Sequence, residues 1–235
     1  MRVVALTGAG VSAESGLATF RGAGGLWRNH DAMQLATPRA FGDDPQTVQE
    51  FYNCRRRNLL EAAPNAAHFA LARLETGLAA RGDELILVTQ NVDDLHERAG
   101  GRRVLHMHGE LLKARCTSCQ AVFDWKGDLG LTDPCPSCGQ HTRLRPHVIW
   151  FGESPLYRSE VESALAVAHL FVAIGTSGSV YPAAGFVSEA RSWGVRCCEL
   201  NLEPSDNAHL FDDRCYGTAS QIVPAWVDDV LQNHS

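Results

Sequence analysis

Four short apolar runs constrain this chain most: VVAL (3–6), LILV (85–88), LFVAI (170–174) and the more mixed VRCCEL (195–200). They are too continuous for strands with one face in water and suit parallel strands covered on both faces. Helical patterns lie between some of them. Ala67, Leu71, Leu74 and Leu78 fall at i, i+4, i+7 and i+11, and Val161, Leu165 and Ala168 repeat the pattern on a shorter stretch. Such alternation predicts an α/β fold built on an open parallel sheet.

The residues at the end of each run point to a ligand. VVAL leads into Thr7-Gly8-Ala9-Gly10, LILV into Thr89-Gln90-Asn91-Val92-Asp93, LFVAI into Gly175-Thr176-Ser177 and VRCCEL into Asn201-Leu202-Glu203. A weaker strand candidate, VLHMH (104–108), contains His106 and ends at His108-Gly109. Ligands of open α/β sheets bind outside the carboxyl ends of the strands. Five polar or glycine endings therefore predict an extended polar ligand lying across the sheet. Two segments break the alternation, 24–62 and 111–147, and read as insertions forming a smaller lobe. The expected division is a Rossmann-like large lobe at about 1–23, 63–110 and 148–235, with a helical insertion (24–62) and a cysteine-bearing one (111–147) making the second lobe.

GAGVSA (8–13) fits G-x-G-x-x-A directly after a strand, where glycines let backbone N–H groups approach phosphates. The same pattern fits a plain strand-to-helix turn. A dehydrogenase fingerprint would continue into a helix, a second strand and an acidic residue. This chain runs instead into the irregular SGLATFRGAGGLW (15–27), which excludes that reading. The eight cysteines divide by spacing: Cys116, Cys119, Cys135 and Cys138 form C-x2-C-x15-C-x2-C, and the other four show no framework. Four thiolates so spaced can close a tetrahedral zinc site with no open position, which makes the expected metal structural. This usage points to a reducing compartment and a cytoplasmic protein. The start MRVVALTGAG does not read as a signal peptide, and no apolar run reaches the roughly 18 residues a bilayer span needs. A formal net charge of -6 argues against a nucleic-acid partner held by general electrostatics.

GAGVSAESGLATFRG, TQNVDDLHERAG, HMHGEL, the paired cysteines, IGTSGSVYP and NLEP occur in the order seen in sirtuins, NAD-dependent protein lysine deacylases. The resemblance covers nearly the whole chain and looks most like the bacterial CobB type, with affinity to the desuccinylase branch. It implies NAD as co-substrate, one structural Zn2+, and acylated lysine-containing proteins or peptides as partners, with a monomer expected. It places Gly8, Ala9, Gly10 and Glu14 at the NAD phosphates and Phe20, Arg21 and Trp27 in the flexible loop over the nicotinamide ribose. Gln90, Asn91, Val92 and Asp93 match the nicotinamide pocket and ribose contacts. Gly175, Thr176 and Ser177 match the second phosphate and ribose stretch, Asn201, Leu202 and Glu203 the adenosine ribose, and Ala219 the adenine contact. Where the family's loop usually carries proline, this chain has Ala18.

The resemblance makes His108 the catalytic base. The acyl-lysine amide oxygen attacks C1′ of the NAD ribose, nicotinamide leaves, and a base then activates a ribose hydroxyl. An imidazole of ordinary pKa about 6.5 suits that transfer. His106 would share His108's face of a strand, so spacing does not choose between them, whereas the HG-E context chooses His108. RPHVIWFGE (145–153) matches the substrate-facing strand and offers His147, Val148, Ile149, Trp150, Phe151 and Gly152 for pairing with the peptide.

In QEFYNCRRRNLL (49–60), Tyr52 can neighbour Arg55 or Arg56 on a helix while Arg57 points away. The desuccinylase branch reads a distal carboxylate with Y-x-x-R, which Tyr52 and Arg55 match, and Ala36 matches a small residue leaving room for long acyl groups. Arg56 and Arg57 are expected to face water. Two other readings use the same residues: a mono-ADP-ribosyltransferase or NAD glycohydrolase, and a non-enzymatic NAD-sensing module.

Overall fold

The computed structural model describes residues 1–18, 26–27 and 30–232. In chain order, β1 (Arg2–Thr7) runs into a single turn, α1 (Ala9–Ser12). Next come β2 (Leu26–Trp27), β3 (His30–Asp31), α2 (Ala32–Leu35), α3 (Pro38–Asp43) and the long α4 (Pro45–Glu61). Helix α5 (Ala66–Ala79), β4 (Glu84–Thr89), the turn α6 (Leu95–Arg98) and β5 (Val104–His106) follow. Then β6 (Gly109–Cys116), β7 (Val122–Asp124) and β8 (Leu144–Val148) lead to α7 (Arg158–Leu165) and β9 (Leu170–Ile174). The last elements are α8 (Phe186–Ser192), β10 (Arg196–Asn201), β11 (Asp213–Tyr216) and α9 (Ala219–Gln232).

Six strands form one parallel sheet in the order β11-β10-β9-β1-β4-β5. Its apolar runs are continuous because both faces are covered. Val3 and Ala5 pack with Leu71, Leu74 and Leu78 of α5 and Val223 and Val227 of α9. Val4 and Leu6 pack on the other face with Val161 and Leu165 of α7 and Phe186 and Val187 of α8. The expected α5 stripe is fully buried, and Asn65 caps the helix by accepting from the Ala67 N–H at 3.0 Å. Ala168 falls beyond the end of α7, and the VLHMH strand stops at His106. The edge strand β11 (DRCY) has no apolar run, so periodicity could not announce it.

The sheet order places the binding crevice. After β1 the chain adds β4 and β5 on one side, then returns to lay β9 on the other side of β1. The carboxyl ends of β1 and β9 therefore flank the topological switch point, where such sheets open a crevice.

A second, antiparallel sheet, β7-β6-β8, begins where β5 ends. Helix α4 docks on it through a polar stripe. Gln49 donates to the Leu144 carbonyl at 3.1 Å and Asn53 to that of Leu129 at 3.1 Å. Arg56 donates to the Leu111 carbonyl at 3.1 Å and to Asn53 Oδ1 at 2.6 Å. This corrects the expectation for Arg56, which is 0 % exposed. Buried carbonyls off the strand ladder need donors, and a long side chain with a forked head supplies one. Burial pulls its pKa down to about 10, which leaves it charged at neutral pH. Arg57 does face water, where it pairs with exposed Asp128.

Candidate functional site

Two glycine loops meet at the switch point. The Gly8 N–H donates to the Ile174 carbonyl and the Gly10 N–H to the Gly175 carbonyl, both at 2.9 Å. A Cβ on Gly8 would sit 2.7 Å from the Gly175 oxygen, and one on Gly175 (φ +61°) would sit 2.5 Å from the Val11 nitrogen. Glycine is required here for backbone-to-backbone approach, and the Gly8 and Gly10 amides expected at phosphates are engaged within the protein. Ala9 lies between them, at the start of α1. The hydroxyls of Thr176, Ser177 and Ser179 follow β9 at the same edge, with Ser177 Oγ 2.7 Å from Ser179 Oγ. Asn201 donates to the Thr176 carbonyl at 2.8 Å, which ties the end of β10 to this loop, while Leu202 and Glu203 are exposed beyond it. Glu14 accepts from the N–H and hydroxyl of Ser220 at 2.8 and 2.7 Å, and these bonds lower its pKa. Its carboxylate thus holds the start of α9, where Ala219 sits, against the first glycine loop. Phe20, Arg21 and the side chain of Trp27 lie outside the described residues.

The loop after β4 is fixed by a buried polar web. Asn91 donates to the Gly8 carbonyl at 3.1 Å and to Ser12 Oγ at 3.2 Å, and Ser12 donates to Asp93 Oδ2 at 3.0 Å. Asp93 Oδ1 also accepts the Leu95 N–H at 3.2 Å, while burial raises its pKa. Behind Ser12, His68 Nδ1 accepts the Asn65 N–H at 3.2 Å, so its Nε2–H faces Ser12 Oγ at 3.3 Å. The His96 ring packs at a tilt against that of His68, with centroids 4.9 Å apart, and lies 3.0 Å from Thr7 Oγ1. The Val92 carbonyl accepts the Leu111 N–H at 2.8 Å, joining this loop to the second sheet.

The two buried histidines carry a pH dependence. Burial lowers the pKa of His68 to about 4 and places that of His96 well below 6.5. Below about pH 6.5 the unfolded chain takes up protons that native His68 and His96 refuse, so stability falls with pH. For His68 that loss is ~3 kcal/mol by pH 4. His106 acts in the opposite sense: burial disfavours its charge, the Glu97 carboxylate at 2.7 Å outweighs this, and its pKa is raised. Its contribution is present at acid pH and is lost as pH rises through its folded value. With two groups against one, the melting temperature is expected to drop from pH 6.5 to 4.5. Thermal melts of wild type and His68→Gln check this, the variant showing the flatter profile.

His106 and His108 both face the 90–97 loop but differ in what they touch. His106 is locked between the Asn91 carbonyl (3.3 Å) and Glu97. His108 Nδ1 lies 2.9 Å from the Gln90 carbonyl oxygen, which can only accept, so Nδ1 carries the hydrogen and Nε2 the basic lone pair. Burial lowers its pKa, opposed by the Gln90 contact, so the ring is a neutral base at pH 7. The hinge between the two sheets holds it: Gly109 has φ +77°, and a Cβ there would sit 2.1 Å from the His147 oxygen.

From His108 the segment 145–153 leads to α4. The strand within it ends at Val148, earlier than expected. The N–H groups of Ile149, Trp150 and Phe151 are bonded to His108 O, Glu153 Oε2 and Ala36 O at 2.8, 2.8 and 2.9 Å. None of those three is left for pairing with a peptide, which narrows the expected strand addition. His147 is half-buried, Val148 and Trp150 are buried, Phe151 is exposed, and Gly152 turns at φ +91°. Ala36 is buried beside Tyr52 in the same apolar cluster. The Tyr52 hydroxyl accepts from Trp150 Nε1 at 2.9 Å, and burial raises its pKa to about 12. The guanidinium of Arg55 lies 5.5 Å from the Phe51 ring centroid, next to Tyr52 on the same helix.

At the far end of the second sheet, Cys116, Cys119, Cys135 and Cys138 bring their Sγ atoms within 4.8 Å of one another. The Cys116–Cys138 and Cys119–Cys135 separations are 3.8 and 3.7 Å. Thiolates 2.3 Å from a shared tetrahedral zinc stand about 3.8 Å apart. Two matching knuckles build the cage. The Cys116 and Cys135 carbonyls accept the N–H four residues on, from Gln120 and Gly139, at 3.0 and 2.9 Å. Both of those residues are left-handed, at φ +62° and +71°. The cage fits a closed, structural zinc.

The sequence signature of the Sir2 family matches residues 8–182. An NAD-dependent protein deacylase of Caulobacter vibrioides is 58% identical over 231 residues, covering 98% of this chain and 97% of that protein. The chain belongs to the Sir2 family. An NAD-dependent protein deacylase of Leishmania major is 57% identical, with 98% of this chain and 96% of that one covered. The solved structure of a Sir2 homologue in complex with NAD superposes with a TM-score of 0.89 at 39% identity, covering 100% of this chain and 91% of the other. The Sir2 architecture explains the parallel sheet, the small antiparallel lobe and the cysteine cage together.

Within this Sir2 site, sequence reasoning missed Ser12, Asn65, His68 and His96, which brace the loops rather than end a strand. The Asn65–His68 pair is a reciprocal N-terminal cap, though histidine in that role does not fit the usual Ser/Thr-x-x-Glu pattern. The polar stripe Gln49, Asn53, Arg56 was visible at i, i+4 and i+7, but only the second sheet shows what it serves.

Proposed function

We propose that this chain is an NAD-dependent protein lysine deacylase that removes acetyl groups and acidic acyl groups, succinyl and malonyl, from lysine. The observation that carries the reading is His108, a half-buried neutral imidazole whose basic Nε2 is set by the Gln90 carbonyl at the crevice edge. NAD, when bound, supplies an electrophilic ribose carbon with nicotinamide as its leaving group. The chain's own residues then have separate tasks. The loops 8–10, 90–93, 175–177 and 201–203 are assigned to the cofactor, and His108 accepts the ribose hydroxyl proton. Val148 to Gly152 flank the acyl-lysine, while Ala36, Tyr52 and Arg55 meet its far end. The two-lobe division, with 24–62 and 111–147 as the smaller lobe, belongs to the same reading.

A carboxylate reaching Tyr52, which is 1 % exposed, loses its water and needs strong donors in return. A guanidinium fork with a phenol hydroxyl beside it supplies them. Loss of the Arg55 contact is expected to cost on the order of 1.5–3 kcal/mol in kcat/KM on a succinyl substrate. Mass spectrometry of matched acetyl- and succinyl-lysine peptides with NAD, on wild type, Tyr52→Phe and Arg55→Met, tests this. Selective loss of succinyl turnover supports the reader, and equal losses on both substrates would sink it. The same reading makes the chain a cytoplasmic monomer without nucleic-acid contacts; no described helix is long and apolar enough to cross a membrane.

A further inference from the structure

The segment RPHVIWFGE contains more than a substrate wall. Arg145, Trp150 and Glu153 form a fixture within nine residues, with Arg115 also donating to Glu153 Oε1 at 2.9 Å. The Arg145 guanidinium lies 3.2 Å from the Trp150 ring centroid, and Phe41 packs with the same ring at 5.2 Å. Glu153 takes Arg145 as a fork, at 2.6 and 3.0 Å, and also accepts the Trp150 backbone N–H at 2.8 Å. Arg145 donates to the Val148 carbonyl at 2.8 Å, closing the ring of contacts. The indole is thereby held in one orientation, 2 % exposed, with its N–H 2.9 Å from the Tyr52 hydroxyl.

We infer that Trp150 is a positioning residue for acidic acyl groups, because its N–H fixes the Tyr52 hydroxyl as a donor aimed at the acyl carboxylate. The inference rests on the Tyr52–Arg55 reading above. An indole nitrogen can only donate, so the phenol oxygen must accept from it. Tyr52 then keeps a single proton, and it has that proton to give to an acceptor. A carboxylate is acceptor-only and suits this arrangement, whereas a methyl group gains nothing from it. Filling the space under Tyr52 needs only an aromatic ring, so a phenylalanine would pack there. The N–H is what a packing role does not require.

The test is a double-mutant cycle on the succinyl-to-acetyl ratio of kcat/KM, with peptides of identical sequence and saturating NAD. W150F is expected to lower that ratio about fivefold, the effect of one hydrogen bond, mainly through KM for the succinyl peptide. In a Y52F background the same change is expected to move the ratio less than about twofold, since the hydroxyl it acts through is gone. Equal losses on both peptides, or an undiminished effect in Y52F, would overturn the inference. If Y52F alone leaves the ratio untouched, the carboxylate reading has failed first and the Trp150 role falls with it. Should W150F not fold, benzothienylalanine at position 150 keeps the ring shape and removes only the N–H, and the same ratio decides.

Discussion

Replacing His108 with alanine is expected to leave NAD binding within about twofold of wild type and to lower kcat for deacylation by about 10²–10⁴-fold. Among the described residues the ring is tied to the Gln90 carbonyl alone, so its loss leaves one acceptor unmet and does not unlock the 90–97 loop. Asn91 and Asp93 hold that loop through Ser12 instead. His106 cannot substitute, because both of its nitrogens are occupied and the Glu97 carboxylate favours its charged form. The pH dependence separates the two histidines. Burial keeps the His108 pKa below the ordinary value, so the acid limb of kcat should lie below about pH 6.5. A limb above that value would assign the proton transfer to another group. Isothermal titration with NAD, alongside single-turnover deacylation, measures binding and chemistry independently. Unaltered turnover in His108→Ala would defeat the enzymatic reading itself.

The second large effect is metal removal. Chelation is expected to extract one zinc per chain and unfold the cysteine ribbon, since apparent zinc-binding energies of about 10–16 kcal/mol are folding energy in such modules. No zinc chemistry is needed for the consequence to reach the site. Gln49, Asn53 and Arg56 anchor α4 on Leu144, Leu129 and Leu111, and the first two of those leucines share a buried cluster with Cys116 and Cys135. Without the ribbon, the helix that carries Tyr52 and Arg55 loses its seat. Succinyl turnover should collapse with the metal and return when zinc is restored. Metal content by mass spectrometry, circular dichroism and peptide turnover on one sample would show all three changing together. A metal-free protein with native folding and activity would rule out a structural site.

These two results rest on features that were unequally legible in the chain. The four central parallel strands could be read because each is covered on both faces and its apolar run is nearly unbroken, as at 3–6 and 170–174. The cysteine cage could be read because zinc geometry fixes ligand spacing. Strand β11 could not, since an edge strand with exposed side chains carries no periodic signal. The arginine run was misread at Arg56 because helical spacing tells which residues share a face but not what that face meets. The Gly8 and Gly10 amides illustrate a similar limit. A glycine motif marks close approach, and the partner here includes a second glycine loop more than 160 residues away. The brace behind the loops 8–10 and 90–93, Ser12 with His68 and Asp93, assembles residues from three separate segments and exists only in the folded chain.

The central claim is that NAD cleavage and acyl removal are one reaction with an acidic substrate. The direct measurement is the ratio of nicotinamide released to lysine unmasked, with a succinyl-lysine peptide and NAD. One nicotinamide per freed lysine, and negligible release without the peptide, is the predicted result. Nicotinamide released at the same rate with no acyl peptide present would contradict it.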